Sequence, residues 1–188
     1  MGMGAWIAVA VIVLAALYAI VVYNRLVRLR ALVREGWSGI TVQLRRRADL
    51  IPNLVSTVEG YATHERETLS QVTAHRTDPT RANGVAATAQ ADNAFTAMLG
   101  RLMAVAEAYP DLKADDNFRQ LQDELSEVED ELQGARRYYN ATVRDLNTRI
   151  QSFPDVLLAR PMGFAEEASY ADGDASIQTA PAVRFGRR

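Results

Sequence analysis

The sequence predicts an all-α fold, in which an N-terminal transmembrane helix continues into a long antiparallel helical bundle of three long helices plus a short C-terminal helical turn. Three observations point there. Ala5 to Tyr23 is 19 residues without a charge or a proline; as a helix it reaches about 28 Å, close to the ~30 Å hydrocarbon core of a bilayer. After it, apolar residues recur at three- and four-residue steps, the period of one helix face rather than of a lipid-facing cylinder. Strand-like alternation occurs only at Val183-Arg184-Phe185, which has no internal sheet to join.

The anchor is expected over residues 1–23, with Ala5 and Trp6 at one end, Leu14 at the middle and Tyr23 at the other end. Trp6 and Tyr23 suit the two membrane–water interfaces. A cleaved signal peptide wants a basic start, an apolar stretch of about 7–15 residues and a small-residue cleavage site. Met1 to Gly4 carries no charged side chain, the apolar run is longer, and Tyr18-Ala19-Ile20-Val21 offers no good cleavage pattern. An uncleaved span is therefore expected. Arg25, Arg28, Arg30 and Arg34 follow it against the single Glu35. Positive flanks stay in the cytoplasm, so the expected topology is single-pass in the cell membrane, N-terminus outside and bundle cytoplasmic.

The bundle is expected over residues 24–164. Its first helix carries Leu26, Leu29, Val33, Trp37, Ile40, Leu44, Ala48, Ile51, Val55 and Val58 on one face, and the pattern runs on to about Arg76. Pro52 interrupts it. An interior proline removes a hydrogen bond, so the expectation is one bent helix, or two nearly collinear ones with Asp49 capping the second. Thr77 to Gly84 reads as a loop.

Val85 to Ala108 reads as the second helix, with Ala87, Ala91 and Ala94 as a small-residue seam beside a wide apolar face from Phe95 to Tyr109. Tyr109-Pro110-Asp111 ends it. Asp115 or Asp116 caps a third helix that runs to Phe153. Phe118, Leu121, Leu125, Val128, Leu132, Ala135, Tyr139, Val143, Leu146, Ile150 and Phe153 form its seam at near coiled-coil spacing. Its acidic half could face Arg45, Arg46 and Arg47 of the first helix. Pro154 stops it, and Val156, Leu157 and Leu158 make one further turn tucked onto the bundle. Residues 165–188 have the small, polar, acidic composition of a flexible tail and end in a docking-like motif containing Val183 and Phe185.

Several separated motifs then become recognisable: Tyr23-Asn24-Arg25-Leu26-Val27, Trp37-Ser38, the run from Val42 to Val55, Gly60-Tyr61-Ala62 with His64-Glu65, Ala108 to Lys113, Tyr139-Asn140 and Phe153-Pro154. In this order they resemble the LemA family of bacterial membrane-anchored proteins, over roughly residues 23–164. Pro181 to Phe185 resembles the family's terminal pattern. Gly36 and Thr41 stand where alanine and aspartate are expected, and Gly36 would loosen the helix locally. The resemblance implies a single N-terminal span followed by an antiparallel helical bundle, with no established catalytic activity. It also implies a setting: some relatives act in building magnetosome membranes, and members are often encoded beside other membrane proteins, including membrane peptidases. No catalytic residue carries over.

The residues themselves offer little chemistry. With 21 basic and 23 acidic side chains the net charge is −2, which gives no reason to expect a nucleic-acid partner. The absence of cysteine excludes disulfides, thiolate metal sites and a cysteine nucleophile. His64 and His75 would lie about 16 Å apart on one helix. Neither follows a glutamate at the spacing of a di-metal bundle, and no zincin motif or glycine-rich phosphate loop occurs. No catalytic, cofactor-binding or metal residue is expected, and no enzyme.

The candidate interaction residues are Arg45, Arg46, Arg47, Asp49, Asn53, Val183 and Phe185. The three arginines are expected to pair with carboxylates of the third helix, or else to face a partner. Asp49 and Asn53, one turn apart beside Pro52, are expected to form a polar knot in the bundle. Trp37, Tyr61, Tyr138 and Tyr139 are expected to pack inside it; one left exposed would point to an interface. The expected function is a non-enzymatic, membrane-anchored scaffold or adaptor of the bacterial envelope that contacts other membrane or cytoplasmic proteins. Ala8, Ala15, Ala16 and Ala19 would allow a homo-oligomer to pack closely in the span. The alternative is a regulatory partner of a membrane peptidase or other envelope enzyme, docked through the bundle or, by strand addition, through the Val183–Phe185 tail; a third reading, an uncharacterised enzyme, has no constellation of residues to support it.

Overall fold

The computed structural model describes residues 2–61 and 82–170. Among them the chain forms helices α1 (Met3–Tyr61), α2 (Val85–Glu107), α3 (Pro110–Ala114), α4 (Asp116–Gln151) and α5 (Val156–Ala159), and no strand. The expected continuation of the first helix towards Arg76, with His64 and His75, lies outside the described residues, as do Val183 and Phe185. α1 is unbroken over 59 residues with Pro52 inside it, about 88 Å of helix. Pro52 is exposed, so water can reach the carbonyl that its missing N–H leaves free one turn earlier. One stretch of α1 is long and apolar enough to cross a membrane, with a mean hydropathy of 2.8.

The helix ends follow local chemistry. The Asp115 carboxylate accepts the Phe118 N–H at 2.9 Å, a side-chain cap at the start of α4. That amide is the main reason the Asp115 carboxyl sits below the usual carboxylate range. Between α2 and α4 the expected simple stop is instead the single turn α3, with Pro110 at its start and Leu112 buried. Proline is preset for a first helical position, where its missing N–H has no partner to lose.

α4 ends at Gln151, two residues before the expected stop. Phe153 therefore leaves the apolar seam and is exposed. α5 forms where one more turn was expected, but Leu157 does not tuck in. The buried side chain of α5 is Ala159, and at ~100° per residue two positions away is the opposite side of the turn.

The chain divides into two compact units. The first comprises Met1–Val42 and Glu131–Ser169. Its buried side chains include Val22, Leu26, Val33 and Ile40 of α1 and Leu132, Tyr139, Val143, Leu146 and Ile150 of α4. The two helices approach closely at Gly36, where an added Cβ would lie 3.0 Å from the Tyr139 Cα. Gly36 is thus a packing position, not the loosened point its helix propensity suggests. Trp37 and Tyr139 pack beside it, ring centroids 5.6 Å apart. The Asn147 side-chain amide accepts the Glu167 N–H at 2.9 Å and donates to the Glu167 carbonyl at 2.8 Å. Tyr139 Oη donates to the Ala168 carbonyl at 2.9 Å. Residues 165–169, expected to begin a flexible tail, are therefore held against α4.

Among the described residues the second unit comprises residues 43–61, 82–130 and 170. Its apolar core joins Ile51, Leu54, Val55 and Val58 of α1 with the inner face of α2, Leu112 of α3 and Phe118 of α4. That inner face runs Thr88, Asp92, Phe95, Leu99, Leu102, Ala106. The expected alanine seam is displaced from it: Ala94 is exposed, and Ala87 and Ala91 are half-buried.

Candidate functional site

The buried stripe of α1 places Leu44, Arg47 and Ile51 at steps of three and four, so Arg47 occupies a position that the period reserves for an apolar residue. It is 3% exposed, and Asp92, at the equivalent place on α2, is 0% exposed. Each makes the other tolerable, because an isolated buried charge is costly and a paired, hydrogen-bonded one is far less so. Arg47 Nη1 donates to Asp92 Oδ1 at 2.9 Å. Arg47 Nη2 donates to Thr96 Oγ1 at 3.1 Å and lies 3.1 Å from Glu129 Oε2 of α4. The guanidinium also rests over the Phe95 ring, 5.2 Å from its centroid.

The second oxygen of Asp92 accepts the Tyr170 hydroxyl at 2.7 Å. Tyr170 is buried, although it follows α5 by a run without regular structure. Thr96 Oγ1, besides accepting from Arg47, donates to the Asp92 carbonyl at 3.0 Å. The cluster thus ties α1, α2, α4 and the chain at Tyr170 together through hydrogen bonds and ion pairs among its own members. Its chemistry is that of holding position.

A second buried carboxylate lies in the other unit. Asp155, between α4 and α5, is ion-paired with Arg149 of α4 and accepts a hydrogen bond from the Tyr18 hydroxyl of α1. Nearby, the Tyr23 ring meets Phe164 edge-on at 5.7 Å, and the Arg30 guanidinium sits 4.7 Å above the same ring. Burial, together with the Glu167 charge, pushes the Tyr139 phenol up to about 12.

The structure separates the residues that the sequence grouped. Of the arginine triplet, Arg47 is in the buried cluster. Arg46 is solvent-facing, 3.6 Å from Glu127 of α4, and Arg45 is exposed. Asp49 and Asn53 are exposed on α1, so the expected polar knot in the interior is instead an outward polar stripe with Arg45, at four-residue steps. Ala5, Trp6 and Leu14 are exposed on the apolar stretch; Tyr23 is exposed at the point where Phe164 meets it. Tyr61 and Tyr138 are exposed, whereas Tyr139 is buried. Asp92, Tyr170 and Asp155 were not singled out by sequence. A signal existed for Asp92, which precedes Phe95 by three and Leu99 by seven. Among the described residues no group of three or more His, Cys, Asp or Glu is placed to hold a metal ion.

Comparison with known proteins adds a family. The family model described as LemA family matches residues 36–185. Magnetosome protein MamQ 2 of Paramagnetospirillum magneticum is 28% identical over 186 residues, covering 84% of this chain and 68% of the relative. Protein LemA of Metamycoplasma hominis is 30% identical over 135 residues, covering 69% and 60%. Magnetosome protein MamQ of Magnetospirillum gryphiswaldense is 27% identical over 168 residues, covering 76% and 62%.

Proposed function

The chain belongs to the LemA family, and from that premise we propose that it is a non-enzymatic, single-pass membrane-anchored scaffold or adaptor that works through protein–protein contacts. The observation that carries this reading is the continuity of α1. Residues 3–18 of it are exposed along their whole length, apolar and uncharged, while from Val22 onward the same helix supplies buried side chains to a folded domain. A bare apolar helix is unfavourable in water and favourable in a bilayer. Arg25 and Arg28 stand exposed just past it and favour a cytoplasmic domain.

Two further observations support contact over catalysis. The buried polar cluster around Arg47 binds its own members, and the names carried by the relatives are not enzyme names. Exposed Tyr138 and Val42 in the first unit, and the outward Arg45–Asp49–Asn53 stripe in the second, are surfaces for partners.

Crosslinking the full chain in native membranes, followed by identification of the attached proteins, tests the reading. We expect the chain in the alkaline-washed membrane fraction, joined to a reproducible small set of proteins. A membrane peptidase prominent in that set would select the regulatory form of the role. A chain released by the wash, or a turnover activity abolished by a single point substitution, refutes the scaffold. Protease added outside intact cells is expected to spare the domain; digestion there reverses the topology.

A further inference from the structure

Phe153 and Leu157 are 81% and 64% exposed, the two most exposed large apolar side chains in the described residues beyond the apolar stretch of α1. They flank Asp155 by two residues on either side, on the corner between α4 and α5. Asp155 accepts its hydrogen bond from Tyr18, which lies inside the apolar stretch, five residues or about 7 Å before Tyr23. The corner is thereby fastened to α1 at the level of its last apolar turns. Protein closes round α1 only slightly further on: Val21 is exposed and Val22 fully buried.

We propose that this corner is a second membrane contact, seating Phe153 and Leu157 in the boundary between headgroups and acyl chains of the leaflet from which α1 emerges. The proposal rests on reading the apolar stretch of α1 as a membrane span. Three features of the corner suit lipid. Its exposed apolar groups are an aromatic and a leucine, the side chains that interfacial segments bury to a shallow depth. Its one acid, Asp155, is turned inward onto Arg149 and Tyr18, so the corner itself presents no bare carboxylate. Its exposed charge is Arg160, with Arg25 and Arg28 exposed on α1 of the same unit, the sign that anionic headgroups attract. With both contacts made, the span and the corner grip one leaflet, and the first unit cannot swing freely about a single helix.

The chain has no cysteine, so single cysteines can carry a fluorescent label without background. The full chain bearing Phe153→Cys, Leu157→Cys, Leu14→Cys or Arg144→Cys is labelled and reconstituted in vesicles of phosphatidylcholine and phosphatidylglycerol that contain a lipid spin-labelled near the top of its acyl chain. We expect quenching at positions 153 and 157 to exceed that at 144 by at least about twofold, with position 14 reached by a deeper spin label. Quenching at 14 with 153 and 157 no different from 144 leaves the span intact and overturns the corner contact. No quenching at 14 overturns the span, and the proposal with it. Labels at 153 and 157 that are spared by the lipid quencher yet shielded from aqueous iodide show a protein surface on the corner, which also overturns the proposal.

Discussion

Arg47 and Asp92 show how a charge can hold a seam position. The pair is buried in the second unit with Tyr170 and Glu129 around it, so its energetics are those of a desolvated pair. Replacing Arg47 by Met strands Asp92, at an expected cost of about 3–5 kcal/mol. Adding Asp92→Leu should recover much of that loss, because both charges then leave together. Urea unfolding of the two variants measures it; a double variant no better than the single one would argue against direct coupling. Tyr170→Phe removes one donor to the same carboxylate and should cost about 1–3 kcal/mol. The sequence shows the arginines, and a triplet of them reads as a solvated face; the period sets Arg47 in line with Leu44 and Ile51, but it does not say what would hold a charge there. What holds it is a partner 45 residues away.

Helices were the most legible level. Their periods located α2 and α4 to within about two residues, and Pro154 marked the end of α4. The misjudged positions were those where backbone proximity or capping decided. Gly36 is one. Its Cβ would press on the Tyr139 backbone, so Gly36→Ala should lose up to about 2 kcal/mol, overpacking of about 1–3 kcal/mol outweighing a propensity gain of about 1. Gly100→Ala on α2, with nothing within 4 Å, should gain about 0.5–1 kcal/mol. Thermal melts of the two would separate packing from propensity.

The cap of α4 adds a pH effect. Because the folded Asp115 carboxyl is held below its ordinary value, its charge stabilises the fold above the unfolded value of about 3.9 and ceases to as pH falls through the folded one. The stability difference between the native chain and Asp115→Asn should thus be constant near neutrality and change only in acid. Tyr139 has the opposite sense. Its phenol is raised to about 12, so stability held below the ordinary ~10 is lost as pH climbs towards the folded value, and Tyr139→Phe should remove that alkaline slope.

At the scale of the molecule, the apolar stretch and the folded domain overlap along α1. Val22 is fully buried and Tyr18 is hydrogen-bonded to Asp155, so the folded domain reaches back into the segment that the sequence assigns to the membrane. A shortened chain beginning at Asn24 should therefore be less stable than one beginning at Tyr18. Burial of Val22 alone is worth about 1.5–2 kcal/mol, roughly 3–8 °C in melting temperature for a chain of this size; equal melts would show that Val22 contributes nothing. By itself the sequence determined the helical class, the apolar stretch with its basic flank, most helix ends and the family motifs, because hydrophobic period, run length and capping residues are local properties. The tertiary structure alone decided which arginine is buried, that Tyr170 joins it, and that Phe153 and Leu157 stand out at the level of Tyr18. Each of those depends on groups far apart in the chain, as Tyr18 and Asp155 are by 137 residues, and a side chain's burial and charge state are settled by the neighbours that folding brings to it.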